Sequence, residues 1–113
     1  MAHLVVIGGG VRSGKSRYAE ERAARHPGER CFLATAVAFD DEMRARIAAH
    51  QRDRGERFVT REVPDALEDA LQECAAASVV VIDCLTLWLT NLLLAGLSDA
   101  DIEARVEGLV GAI

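Results

Sequence analysis

With 113 residues, half of them hydrophobic and about a quarter charged, the chain is sized for one soluble globular domain. No apolar run approaches the ~18 residues of a membrane span, and the N-terminus lacks the basic region and cleavage site of a secretory leader, so a cytoplasmic location is expected. The net charge of −5 hides an asymmetry: residues 1–61 carry twelve basic and eight acidic side chains, residues 62–113 one basic and ten acidic. The arginines of the first half are interleaved with acids and aromatics are sparse, which excludes an evident nucleic-acid surface and suits an anionic small substrate. Cys31, Cys74 and Cys84 are odd in number without C-x-x-C spacing, so reduced, buried thiols are expected.

In chain order, His3-Leu4-Val5-Val6-Ile7-Gly8 reads as a short buried strand. Gly9-Gly10-Val11-Arg12-Ser13-Gly14-Lys15-Ser16 follows and fits the G-x-x-x-x-G-K-[ST] phosphate loop without substitution. Glycines let the backbone turn its N–H groups inward as an anion nest, and the positive end of the following helix, read over Ser16 to Arg25, adds to it. Lys15 is placed to reach the β- and γ-phosphates and the Ser16 hydroxyl to ligate Mg²⁺. Lys15 is the single lysine of the chain, the other twelve basic residues being arginine; a compact ammonium stands where a phosphate loop needs a point charge.

His26-Pro27-Gly28 stops the first helix. Arg30 to Ala34 reads as a second strand, and Thr35-Ala36 falls at the strand end, where open α/β sheets place ligands. Asp40-Asp41-Glu42 opens the next helix with acids in its first turn. His50 lies on that helix with Arg46 and Arg54 four residues to either side. Gly55 breaks the helix, and Arg57 to Arg61 reads as a strand. Pro64 suits a first helical turn, with Leu67, Ala70, Leu71 and Cys74 as an apolar face and Ser78 as the end.

Val79-Val80-Val81-Ile82-Asp83 is a β-branched run ending in a carboxylate, the pattern of a strand buried in a parallel sheet. Leu85 to Ala95 is an apolar helix bearing Thr86, Trp88, Thr90 and Asn91. Ser98 with Asp101 marks a capped start, after which Ile102, Val106, Leu109, Val110 and Ile113 form an apolar stripe. Alternating strands and helices make a parallel α/β sheet the expected fold, in one nucleotide-binding domain over residues 1–113.

Asp83, at a strand end downstream of a phosphate loop, is where such proteins hold a carboxylate for Mg²⁺, directly or through water; an ordinary strand-end cap is the plain alternative. A lone histidine on an arginine-rich helix, such as His50, is by itself most often a solvated side chain. His3 and His26 begin a strand and end a helix. Thr86, Thr90 and Asn91 are helix polar residues, core hydrogen-bonders or substrate contacts, and the residues alone leave these open. Trp88 reads as core or interface.

Several segments together resemble the bifunctional adenosylcobinamide kinase / adenosylcobinamide-phosphate guanylyltransferase family of cobalamin synthesis. They are the phosphate loop through Arg17, Ala34-Thr35-Ala36, Asp40-Asp41-Glu42-Met43 with Arg46-Ile47 and His50, and Asp83-Cys84-Leu85-Thr86-Leu87-Trp88-Leu89-Thr90-Asn91-Leu92-Leu93. The resemblance implies a RecA-like P-loop NTPase fold, GTP and ATP as substrates with Mg²⁺, adenosylcobinamide as acceptor, and a homotrimer. By position it implies nucleotide contacts at Gly9, Gly10, Val11, Arg12, Ser13, Gly14, Lys15, Ser16, Ala34, Thr35, Ala36, Gln51, Arg52, Asp53, Arg54, Glu62 and Asp83. His50 would be the guanylylated nucleophile, joined in the catalytic set by Lys15, with Ser16 and Asp83 toward the metal. Family members continue with further strands and helices, so the chain is expected to be the N-terminal part of a longer domain, with an uncovered sheet edge. Two other readings stand beside this one: another small-molecule P-loop kinase, which leaves His50 idle, and a non-enzymatic nucleotide-binding or nucleic-acid motor fragment, which the acidic second half disfavours.

Overall fold

The computed structural model describes residues 3–10 and 13–113. The elements run α1 (Lys15–Ala23), β1 (Arg30–Ala34), α2 (Asp41–Arg54), a 3-10 turn (Gly55–Arg57), β2 (Val59–Glu62), α3 (Leu67–Glu73), β3 (Val79–Asp83), α4 (Leu85–Leu94) and α5 (Asp99–Ala112). The three strands form a parallel sheet in the order β2-β1-β3, so the α/β class expected from the sequence holds.

The local signals account for most boundaries. Asp40 caps α2 by accepting from the Met43 N–H at 2.7 Å. Ser98 and Asp101 form a reciprocal capping box that starts α5, an arrangement whose loss costs about 1 kcal/mol. Gly28 and Gly55, at positive φ, close the two turns the sequence marked. Strand β2 begins two residues later than the sequence suggested because Gly55 first winds into the 3-10 turn. Helix α3 begins after Pro64, at Leu67, and ends at Glu73 rather than Ser78.

One expectation is overturned. Residues 3–8 are not a buried strand: they lie off the sheet with Leu4, Val5 and Val6 exposed. Strand propensity measures fit to a pleated, half-buried surface; without a ladder partner an apolar β-branched run has no reason to be a strand, and β3 is paired on its β1 side alone among the described residues.

Side chains alternate across the sheet and give it two unequal faces. Cys31 and Leu33 of β1 point to a face covered by α3, α4 and α5, where Leu67, Ala70, Cys74, Trp88, Leu92 and Leu109 complete the larger core. Phe32 points to the other face, where it meets Ala23 of α1 and Phe58, its ring edge-on to that of Phe58 at 6.0 Å. The α5 stripe is split accordingly: Leu109 is buried and Ile102 packs on the core, while Val106, Val110 and Ile113 are exposed. Trp88 is fully buried in that core, its indole N–H donating to the Asp65 carbonyl at 2.6 Å. Arg105 of α5 reaches across to α3, gripping Glu68 at 2.6 Å and Asp65 at 2.7 Å, and its guanidinium holds the Glu68 carboxyl below the usual range.

Candidate functional site

The loop before α1 is shaped by its glycines. Gly14 sits at φ +84° at the N-terminal end of the helix, a left-handed conformation that costs an L-residue about 1–2 kcal/mol. A Cβ on Gly9 would lie 2.7 Å from the Ser13 hydroxyl, so the loop closes tightly at that point. The Ser13 N–H donates to the Gly10 carbonyl at 3.3 Å, and Lys15 donates its ammonium to the same carbonyl at 3.1 Å. Lys15 and Ser16 occupy the first turn of α1, which packs along β3. The expected contacts Val11 and Arg12 lie outside the described residues.

At the carboxyl edge of the sheet, register brings three expected residues into one row: Glu62 of β2 and Asp83 of β3 both pair with Ala34 of β1. Strands about 4.8 Å apart put the two carboxylate-bearing backbones roughly 10 Å from one another across Ala34. The row has the parity of Phe32 and Val81, so it belongs to the α1/α2 face. Glu62 is exposed and Asp83 half-buried.

A groove of about 430 Å³ opens beside this row, lined by Ala36, Val37 and Ala38 after β1, by Arg44, Ile47, Ala48 and Gln51 of α2, and by Glu62 and Pro64. Three residues expected from the sequence as nucleotide contacts, Ala36, Gln51 and Glu62, thus converge from three separate elements. His50 is exposed on α2, next to Gln51, with Arg52 and Asp53 also exposed on the same helix. A pocket with apolar walls and a few convergent polar groups at strand C-termini is where open α/β sheets bind ligands.

Two expected contacts are committed elsewhere in the fold. Thr35 is fully buried; its hydroxyl donates to the Cys84 carbonyl at 2.8 Å and accepts from the Cys84 N–H at 2.9 Å. Its side chain therefore pins the end of β1 to the end of β3 and holds Asp83 in the row. Arg54, placed by helical spacing on an exposed stripe with His50, is instead 6% exposed. Its guanidinium lies 3.8 Å above the Phe32 ring, bonds the Thr60 hydroxyl at 3.3 Å and pairs with Glu20 of α1 at 3.5 Å. Arg46, the other arginine four residues from His50, stays exposed and pairs with Glu42 at 3.4 Å.

The residues open to several roles from sequence now separate. Thr90 bonds the Thr86 carbonyl within its own helix. Asn91 leaves its helix and donates to the carbonyls of Thr35, at 2.9 Å, and Pro64, at 3.0 Å, tying α4 to the two loops that wall the groove. An asparagine among the few polar residues of a largely apolar helix was the only sequence signal for this. Buried Cys31 and Cys74 lie in one core cluster; burial, then the hydrogen bond with Cys74, pushes the Cys31 thiol up to about 11, the mark of an inert core cysteine.

Among the described residues, no three His, Cys, Asp or Glu side chains gather as a metal cage. The oxygen donors on hand, the Ser16 hydroxyl and the Asp83 carboxylate, fit an ion such as Mg²⁺, which keeps waters and takes its remaining oxygens from substrate phosphates.

The profile of the cobinamide kinase / cobinamide phosphate guanyltransferase family matches residues 5–113. The chain is 50% identical over 104 residues to the bifunctional adenosylcobalamin biosynthesis protein CobP of Pseudomonas aeruginosa, covering 91% of this chain and 57% of that protein. It is 33% identical over 122 aligned positions to CobU of Escherichia coli, covering 96% of this chain and 67% of that protein. To CobU of Salmonella typhimurium it is 36% identical over 93 residues, covering 81% and 51%; both are bifunctional adenosylcobalamin biosynthesis proteins by name. The matches thus span between about half and two thirds of these relatives' length.

Proposed function

The chain belongs to the cobinamide kinase / cobinamide phosphate guanyltransferase family, and from that premise we propose that it acts in both reactions, phosphorylating adenosylcobinamide with a nucleoside triphosphate and then attaching GMP from GTP through His50. The observation that supports this most is the groove in which Ala36, Gln51 and Glu62 converge, beside the helix that presents His50.

In the first reaction the loop from Gly9 to Ser16 takes the triphosphate at the N-terminus of α1. Lys15 exchanges its bond to the Gly10 carbonyl for phosphate oxygens, a charge-assisted contact about twice as strong as a neutral one. Ser16 and Asp83 would hold Mg²⁺, which when bound neutralises phosphate charge. Positioning then does most of the work: the γ-phosphoryl passes from the nucleotide to the aminopropanol hydroxyl of adenosylcobinamide. In the second reaction the neutral imidazole of His50 attacks the α-phosphorus of GTP, forming a P–N bond as the bond to pyrophosphate breaks. The phosphate of adenosylcobinamide phosphate next attacks the guanylyl group, releasing His50 and yielding adenosyl-GDP-cobinamide. Gln51 and Glu62 line the nucleotide groove, Arg46 offsets negative charge near His50, and Thr35 and Arg54 serve by holding the strand ends and the helix in place. The setting is a homotrimer in the cytoplasm, with ATP or GTP as phosphoryl donor.

Incubation with Mg²⁺ and GTP labelled at the α-phosphate tests the reading. The expected product is an acid-labile, base-stable protein adduct that His50→Ala abolishes, while phosphorylation of adenosylcobinamide persists in that variant. An adduct that survives His50→Ala, or maps to another residue, refutes the assignment.

A further inference from the structure

A second groove, of about 310 Å³, adjoins the first and shares its walls at Val37 and Pro64. Phe39, Leu94 and Ala95 complete its apolar lining, and Asn91 and Asp65 are the polar residues among those that line it. It has no part in the nucleotide chemistry of either proposed reaction.

Its chemistry differs from that of its neighbour. The first groove includes Arg44; the second has no lysine or arginine in its lining, so a phosphate chain finds no counter-charge there. The orientation of Asn91 is fixed by its partners. Both are carbonyl oxygens, Thr35 at 2.9 Å and Pro64 at 3.0 Å, and only the NH₂ end of an amide can satisfy two acceptors. The amide oxygen is therefore turned away from both loops. Asp65 adds a carboxylate whose charge is partly met by Arg105 at 2.7 Å. The groove thus offers hydrocarbon walls and hydrogen-bond acceptors, a combination that selects an uncharged ligand with apolar edges and N–H donors.

We propose that this groove is the acceptor subsite, taking the carboxamide-bearing edge of the corrin ring while the nucleotide lies in the adjoining groove. This rests on the proposed function for the identity of the acceptor. A corrin is larger than 310 Å³, so one edge of it docks here: peripheral amide N–H groups meet Asn91 and Asp65, and ring methyl and methylene groups meet Phe39 and Leu94. The shared wall of Val37 and Pro64 sets the two substrates side by side, as transfer between them requires. Because Asn91 ties both loops that form this wall, it also fixes the relation of one groove to the other.

The test is direct binding of cobinamide, followed by equilibrium dialysis and read by corrin absorbance. Phe39 is 73% and Leu94 71% exposed, so truncating them leaves the core intact, and GTP affinity reports that the fold is kept. Phe39→Ala with Leu94→Ala is expected to weaken cobinamide binding about tenfold or more, with GTP affinity within twofold of the parent protein. Unchanged cobinamide affinity in the double variant overturns the subsite and leaves the guanylylation of His50 standing. A parent protein that binds GTP but not cobinamide overturns the subsite together with the acceptor half of the functional reading. Loss of both affinities in the double variant also overturns it, since the groove would then be part of the nucleotide site.

Discussion

The two faces of the sheet are held by different physics. On one, α3, α4 and α5 cover β1 and β3 with Leu33, Leu67, Trp88, Leu92 and Leu109, all buried hydrophobics. On the other, three buried residues, Ala23, Phe32 and Phe58, are supplemented by an arginine whose charge is taken into the protein and met by a ring, a hydroxyl and a carboxylate. The row of Glu62, Ala34 and Asp83 has the parity of the second face, and α2 with His50 belongs to the same side. A face that must leave polar side chains free at its edge cannot also be sealed by a thick apolar layer. Here it is fastened by one arginine, Arg54, through three contacts instead.

The largest loss of stability is expected on the apolar side. Trp88→Ala is expected to cost about 3–5 kcal/mol, the range for deleting a buried aromatic, because it empties the core and removes the hydrogen bond to Asp65. A urea titration should show it as a large fall in midpoint; a shift below about 1 kcal/mol would mean that this core is not the main source of stability. Next comes Arg54→Ala, expected at about 2 kcal/mol, since it loses the Phe32 stack and leaves Glu20 without its partner. Arg54→Met, which keeps the stem packed on Phe32, should recover about half of that loss. If both variants match the parent, the second face is held by something other than its arginine.

The smallest effect sharpens the contrast through pH. Cys31 faces the apolar side, and its thiol is pushed up from 9.0 to about 11 by burial first and by Cys74 second. A raised folded-state value means the contribution is fully present below pH 9 and is lost as pH rises through about 11. The parent protein is therefore expected to lose stability more steeply between pH 9 and 11 than Cys31→Ala does, measured by denaturant midpoints at each pH. Equal slopes would show that the thiol titrates as freely folded as unfolded.

How much of this was legible beforehand varied by element. The strand Val79–Asp83 and the start of α5 were readable to the residue, because a β-branched run and a capping box are local instructions. The convergence of Ala36, Gln51 and Glu62 was reached through the family resemblance, since nothing in their spacing joins a strand end, a helix and a second strand. The strand expected at residues 3–8 failed on the same ground: its composition was right, but pairing is supplied by other parts of the chain.

Arg54 and Asn91 show where sequence reasoning stops. Helical spacing placed Arg54 correctly on α2, with His50 one turn before it, and then could not tell that the helix end would settle over Phe32 and draw the guanidinium inward. Asn91 was one polar residue among several on an apolar helix, and only the approach of two loop carbonyls decided what its amide does. By itself the sequence determined the α/β alternation and displayed the phosphate-loop motif, because periodicity, capping and glycine-rich turns act over a few residues; His50 stood out as a candidate nucleophile only through the family resemblance. Tertiary structure decided which charges are buried, which polar groups brace the loops, and that two grooves share a wall, because each depends on backbone groups brought together from distant parts of the chain.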